Sequence, residues 1–123
     1  VEDLYENLKD TTGLNPDLKI EGETTPMPEN KEIMLYRIIQ EMVNNTLKHA
    51  QAKNIRLKMV IQPNQLTIFY ADDGKGFDLE EKIISKSFGL TSIQSRVKFI
   101  NGIIEIKSLP GEGVNFNIVV PLT

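Results

Sequence analysis

The sequence predicts an α+β two-layer sandwich, one mixed or antiparallel sheet with helices on one face. Three observations carry this. A long amphipathic helix spans about Lys31 to Ala50. Two pairs of alternating segments, each joined by turn residues, read as hairpins. A shorter amphipathic helix separates the pairs, so helices and strands are partly segregated along the 123 residues.

Taken in order, Leu4 and Leu8 stand at helical spacing and Gly13 is placed to stop that helix. Leu18 and Ile20 alternate within Asp17 to Gly22, a short strand. Pro26 and Pro28 break regular structure in the loop that follows, and Asn30 is the expected cap of the long helix. In that helix Leu35, Ile38, Ile39, Met42, Val43, Leu47 and Ala50 fall on one broad arc. Glu41, Asn45 and Lys48 stack along the opposite face, bordered by Arg37 and Asn44.

Ile55, Leu57, Met59 and Ile61 then alternate with Arg56, Lys58 and Val60. After the turn residues Gln62 to Gln65, Leu66, Ile68 and Tyr70 alternate with Thr67, Phe69 and Ala71. The second strand runs into Asp72-Asp73-Gly74-Lys75-Gly76. Residues 79–88 mix charge and hydrophobes, a short helix or a flap. Leu90, Ile93, Val97 and Ile100 repeat at helical spacing until Asn101-Gly102 ends the helix. The segment from Ile103 to Ser108, the turn at Leu109 to Gly113, and the alternation of Val114, Phe116, Ile118 and Val120 make the second hairpin, ended by Pro121.

This length fits a single domain over residues 1–123 with a sizeable core. Fourteen Lys and Arg against seventeen Asp and Glu give a net charge of −3, which argues against a general nucleic-acid binder. With no cysteine there is no disulfide and no thiolate metal site. No apolar run approaches the roughly 20 residues of a membrane span, and no signal peptide opens the chain. A chain that begins at Val1 rather than Met is expected to be part of a longer protein.

Two stretches carry possible chemistry. The Glu41, Asn45 and Lys48 stripe offers a carboxylate, an amide oxygen and an ammonium in a row. That set suits a magnesium–polyphosphate complex, or else it is an ordinary solvated helix face. Asn44-Asn45 favours use, because asparagine in mid-helix costs up to roughly 0.7 kcal/mol per residue against alanine. The Asp72 to Gly76 loop is either a solvated turn or the wall of a nucleotide pocket. In the second reading the first aspartate accepts from an exocyclic amine and the glycines admit the base. The spacings of an EF-hand, of G-x-x-x-x-G-K-[ST] and of G-x-G-x-x-G are absent. Gly89, just ahead of a helix, either leaves backbone N–H groups free to meet phosphate or is a plain glycine start.

Three stretches in order, EMVNNTLKHA, DDGKGF and GLTSIQSRVKFINGIIEIKSLPGEG, resemble the N, G1 and G2 boxes of the GHKL ATP-binding superfamily. The last, with its Gly-Leu-x-x-Ile-x-x-Arg helix, Asn-Gly turn and P-G-x-G, is similar to the catalytic ATP-binding domain of sensor histidine kinases. LYRIIQEMVNNTLKHAQAKNI and the short lid resemble the nitrate-sensor and lipid-fluidity-sensor branch. The resemblance covers nearly the whole chain and implies a Bergerat-type fold.

It also implies roles. Asn45 would ligate Mg²⁺ and Glu41 would hold or orient a metal-bound water. Lys48 would meet the phosphates, and His49 would lie near the ribose and phosphates or be a plain surface histidine. Asp72 would accept from the adenine amine, selecting ATP over GTP. Gly74 and Gly76 would shape the base pocket and lid hinge, and Gly89 and Leu90 would start a helix beside the triphosphate. Residues 77–88 would be the ATP lid.

Three departures stand out. Ser87-Phe88-Gly89-Leu90 lacks the first glycine of the usual G-x-G-L. Val114 stands where a threonine commonly follows P-G-x-G, so a hydroxyl at the adenine site is expected to be lost. His49, the only histidine, falls inside the N box, and the resemblance implies that the phosphate-accepting histidine lies on separate dimerisation helices upstream.

The implied function is to bind Mg–ATP and pass the γ-phosphate to that histidine, and thence to a response regulator, in the cytoplasm of a cell whose full-length protein is anchored in the inner membrane. Two alternatives remain. One is a non-catalytic nucleotide- or partner-binding module of the same fold. The other is a hydrolase of the gyrase or mismatch-repair type, which would carry a transducer domain beyond Thr123.

Overall fold

A computed structural model describes residues 15–22, 28–47, 53–76 and 90–122. Within them the order is β1 (Asn15–Glu21), α1 (Glu29–Asn45), β2 (Asn54–Ile61), β3 (Gln65–Asp72), α2 (Leu90–Phe99), β4 (Ile103–Ser108) and β5 (Val114–Pro121). The strands form one sheet in the order β1-β2-β3-β5-β4. β1 and β2 are parallel, and the other three pairings are antiparallel. A parallel pair needs a crossover, and α1 lies between these strands in the chain. The expected sandwich with a mixed sheet is therefore present. The expected helix at Leu4 and Leu8, the 77–88 lid and the far end of the long helix lie outside the described residues.

Strand alternation decides which face is covered. Ile55 and Leu57 of β2, Leu66, Ile68 and Tyr70 of β3, and Phe116 and Ile118 of β5 are all buried. They pack with Leu35, Ile38, Ile39 and Met42 of α1 and with Leu90, Ile93 and Val97 of α2 in one core. Full burial of such side chains contributes about 1.5–3 kcal/mol each. Tyr70 and Phe116 meet edge-on, ring centroids 5.9 Å apart at 64°. The other sheet face carries Arg56, Lys58, Phe69 and Ile103 and is exposed at Phe69 and Ile103.

Three expectations about helices need correction. Asn30 is not the cap of α1. The helix already includes Glu29, and the Pro28 carbonyl accepts from the N–H groups of Lys31 and Glu32 at 3.0 and 3.1 Å. Proline fits because its fixed φ suits a helix entrance. Leu47 does not join the packed arc: it is 42% exposed. The helix widens to a π-type turn at Thr46 and Leu47, and there Leu47 leaves the packed side. Thr46, seven residues after Ile39 and four after Met42, continues the packed side and is buried. Finally, Glu41 and Asn45 do not lie on a fully solvated opposite face, since both are half-buried.

The Asn101-Gly102 stop of α2 is as expected, in a specific form. Asn101 takes the left-handed conformation, φ 61°. Its N–H bonds the Lys98 carbonyl at 3.0 Å and that of Gly102 bonds the Val97 carbonyl at 2.8 Å, the double closure that satisfies otherwise free carbonyls.

Candidate functional site

The end of β3 and the last turn of α1 meet at Asp72. Asp72 is 9% exposed, and a carboxylate in that setting needs donors. Thr46 Oγ1 lies 2.9 Å from Asp72 Oδ2, and the Gly74 N–H donates to Oδ1 at 2.9 Å. Thr46 Oγ1 also lies 2.6 Å from the Tyr70 hydroxyl and 3.3 Å from the Met42 carbonyl. The Tyr70 hydroxyl is itself 3.3 Å from that carbonyl. Burial pushes the Tyr70 phenol well above its ordinary range. The charge of Asp72 adds to that rise.

Neighbouring Asp73 has a different task. Its Oδ1 accepts from the backbone N–H groups of Lys53 and Asn54, both at 2.9 Å, and its Oδ2 from the Asn54 amide at 2.6 Å. Hydrogen bonds from Asn54 and Lys53 hold its carboxyl down at about 2. Of the two adjacent acids, Asp73 fastens β2 to β3 and Asp72 remains with acceptor capacity to spare.

The loop after Asp72 is set by two glycines. Gly113 has φ 73°, and a β-carbon there would lie 2.2 Å from the Asp72 carbonyl oxygen. Gly76 has φ 64°, and a β-carbon there would lie 2.2 Å from the Leu109 carbonyl oxygen. The Gly111 N–H donates to the Lys75 carbonyl. The P-G-x-G turn is thus packed backbone to backbone on the Asp72 loop, which no side chain larger than hydrogen permits.

On α1, Glu41 and Asn45 stand one helical turn apart. Glu41 pairs with Arg96 of α2, Oε2 to Nη1 3.6 Å, a partner the sequence did not disclose. The Asn45 amide nitrogen is buried with no hydrogen-bond partner among the described residues. Such an atom costs about 1–3 kcal/mol unless something pairs with it. The amide can also turn over, leaving its oxygen to be satisfied. An amide and a carboxylate at this spacing are hard-oxygen donors and fit a magnesium ion.

Other expected residues divide as follows. Leu90 is fully buried at the start of α2 and is a core side chain. Val114 is buried and pairs in register with Asp72. Lys48, His49 and Gly89 lie outside the described residues. A cleft of about 240 Å³ is lined by Asp17, Asn54, Ile55, Arg56, Ala71, Asp72 and Asp73. Asp17, Arg56 and Ala71 are in register on the sheet face away from the helices, so this cleft is not the space beside α1.

Thr46 and Tyr70 were missed as polar residues of the site. Tyr70 reads as one more member of an apolar alternation, although a buried phenol needs a partner. Thr46 had a signal: a threonine in a late helical turn has a hydroxyl that must bond either the preceding turn or a neighbour.

Comparison with known proteins adds to this geometry. The family model described as histidine kinase-, DNA gyrase B- and HSP90-like ATPase matches residues 30–123. The signal transduction histidine-protein kinase/phosphatase DegS of Brevibacillus brevis is 38% identical over 112 residues, 91% of this chain and 29% of the relative. The sensor histidine kinase ComP of Bacillus subtilis (strain 168) is 35% identical over 100 residues, 80% of this chain and 13% of that protein. The chain thus spans less than a third of either relative. Among solved structures, the histidine kinase domain from the Erythrobacter litoralis EL346 blue-light activated histidine kinase superposes with a TM-score of 0.76 at 20% identity, covering 97% of this chain and 57% of that one. That likeness concerns the fold.

Proposed function

Since this chain belongs to the histidine kinase-, DNA gyrase B- and HSP90-like ATPase family, we propose that it is the catalytic ATP-binding domain of a sensor histidine kinase. The observation that carries this reading is Asp72, a carboxylate nearly enclosed at a strand end, with one donor on each oxygen and lone pairs left over. That is an acceptor suited to an exocyclic amine, with the end of α1 beside it to carry the phosphate-binding groups.

Asp72 takes the adenine amine, and the Gly74 to Gly76 loop lies along the base. Asn45 and Glu41 would hold Mg²⁺, Asn45 directly and Glu41 through a water. Bound magnesium supplies charge neutralisation to the phosphates. Lys48 meets the phosphates, His49 the ribose edge, and the backbone N–H groups at Gly89 and Leu90 the triphosphate, as at other helix starts.

The acceptor is a histidine on upstream dimerisation helices. Its ring nitrogen attacks the γ-phosphorus with its lone pair. The bond to the β,γ-bridging oxygen breaks, ADP leaves with that electron pair, and the ring gives up its other proton to solvent. The phosphoryl group then passes to an aspartate of a response regulator. The domain contributes positioning and electrostatics. No helix among the described residues is long and apolar enough to cross a membrane. The domain works in the cytoplasm, joined to a sensor anchored in the inner membrane.

Calorimetric titration tests the site. ATP should bind more tightly with magnesium than without, weaken on Asn45→Ala and nearly vanish on Asp72→Asn, with GTP a poor competitor. Nucleotide affinity indifferent to both substitutions sinks the assignment. Adding the upstream helices in trans tests the chemistry, since an acid-labile phosphohistidine must then appear. Its absence leaves a nucleotide-binding module without transfer.

A further inference from the structure

We propose that Tyr70 and Thr46 form a hydroxyl relay that fixes the Asp72 carboxylate as an acceptor, which makes Thr46 the positioning residue for amino-purine selectivity. This rests on the nucleotide-site reading above and names the side chains that tune it.

The relay follows from counting protons. Thr46, Tyr70 and Asp72 are 3%, 1% and 9% exposed, so water is a poor substitute partner. Each hydroxyl has one proton, and a carboxylate has none. The Gly74 N–H can only donate, so Asp72 accepts on Oδ1. If Thr46 gave its proton to the Met42 carbonyl at 3.3 Å, Asp72 Oδ2 would have no donor among the described residues while facing an oxygen lone pair at 2.9 Å. That arrangement is costly in an enclosed place. Thr46 therefore donates to Asp72. Its oxygen is then free to accept, and the Tyr70 hydroxyl at 2.6 Å donates to it. The direction is Tyr70 to Thr46 to Asp72.

Two consequences follow for a base. Both carboxylate oxygens are already oriented by donors on the protein side, so the remaining lone pairs point to a ligand with little freedom left to lose. The group can receive an amine and has no proton for a ring carbonyl, so a 6-oxo purine meets unpaired acceptors. Val114 pairs in register beside Asp72 and carries no hydroxyl. The hydroxyl expected to be missing from the strand side is delivered from the helix side, by a residue that continues the packed arc of α1.

The test compares two nucleotides on the 123-residue chain: ATP, and the triphosphate of purine riboside, which lacks the 6-amino group. Thr46→Val should weaken ATP about tenfold, the scale of one hydrogen bond to a charged group, and leave the amine-free nucleotide within about twofold. Thr46→Ser should recover ATP affinity. Tyr70→Phe, which deletes a single oxygen, should weaken ATP about threefold and the amine-free nucleotide not at all. Equal losses for both nucleotides, or folded Thr46→Val and Tyr70→Phe chains that bind ATP as the parent does, overturn the relay. Should Thr46→Val not fold, the Tyr70→Phe and Thr46→Ser pair decides alone. A parent chain that binds both nucleotides equally overturns the nucleotide-site reading itself, and the relay with it.

Discussion

Gly113 lies directly behind Asp72: a β-carbon on Gly113 would stand 2.2 Å from the Asp72 carbonyl oxygen and 3.4 Å from the Asp73 α-carbon. Both neighbours are backbone and cannot swing aside. Gly113→Ala should therefore destabilise the domain by at least about 2 kcal/mol, from the left-handed conformation and the clash together. Gly111 has φ 84° with nothing within 4 Å of its would-be β-carbon. Gly111→Ala should cost only the conformational part, about 1–2 kcal/mol. Urea denaturation of the two variants measures the difference, and equal losses would show that the packing on Asp72 is unimportant.

Tyr70 makes the domain sensitive to alkali. Burial, the first cause, raises its folded pKa above the ordinary value of 10.0. The folded state then holds a proton that the unfolded chain has lost. That contribution is fully present below about pH 10 and falls as pH rises beyond it. Stability should decline above about pH 10 in the parent and less steeply in Tyr70→Phe. Phenolate absorbance from Tyr70 should appear only together with unfolding.

Asp73 does the reverse at low pH. Its hydrogen bonds from Asn54 and Lys53 lower the carboxyl from 3.8 to about 2, so the folded state releases a proton that the unfolded chain keeps near pH 3. The stabilisation is present above pH 3.8 and is lost as pH falls toward 2. Asp73→Ala should remove that part of the acid dependence. Chemical denaturation at stepped pH values between neutrality and about 2 reads it out.

Two substitutions on the helices should differ sharply. Ile38 is completely buried in the core, and Ile38→Ala should cost about 2–5 kcal/mol. Arg96 pairs with Glu41 at 3.6 Å with both side chains about a third exposed. Arg96→Ala should cost less than about 1 kcal/mol. A large loss from Arg96→Ala would mean that the pair supports packing between α1 and α2.

Much of the architecture follows from local pattern. The alternation of β2, β3 and β5 marks which residues reach the core, because a strand places successive side chains on opposite faces. The spacing of Ile38, Ile39, Met42 and Val43 marks the packed side of α1, because a helix returns to one face every three or four residues. Asp72 and its glycines are legible as a pair of readings, turn or pocket wall. Local pattern fails where partners come from afar: nothing near Lys31 in the chain announces that its ammonium donates to the Pro121 carbonyl at 2.7 Å.

The sequence by itself determined the element types, the core faces and the order of the three boxes, since each depends on interactions within a few residues. The sequence marks the first of the two adjacent aspartates as the candidate acceptor, and only the tertiary structure decided what each of them bonds. Asp73 is taken up by the start of β2, 19 and 20 residues away, and Asp72 is met by Thr46, 26 residues away. A hydrogen bond is set by distance and direction in space, and neither is written in the spacing of residues along a chain.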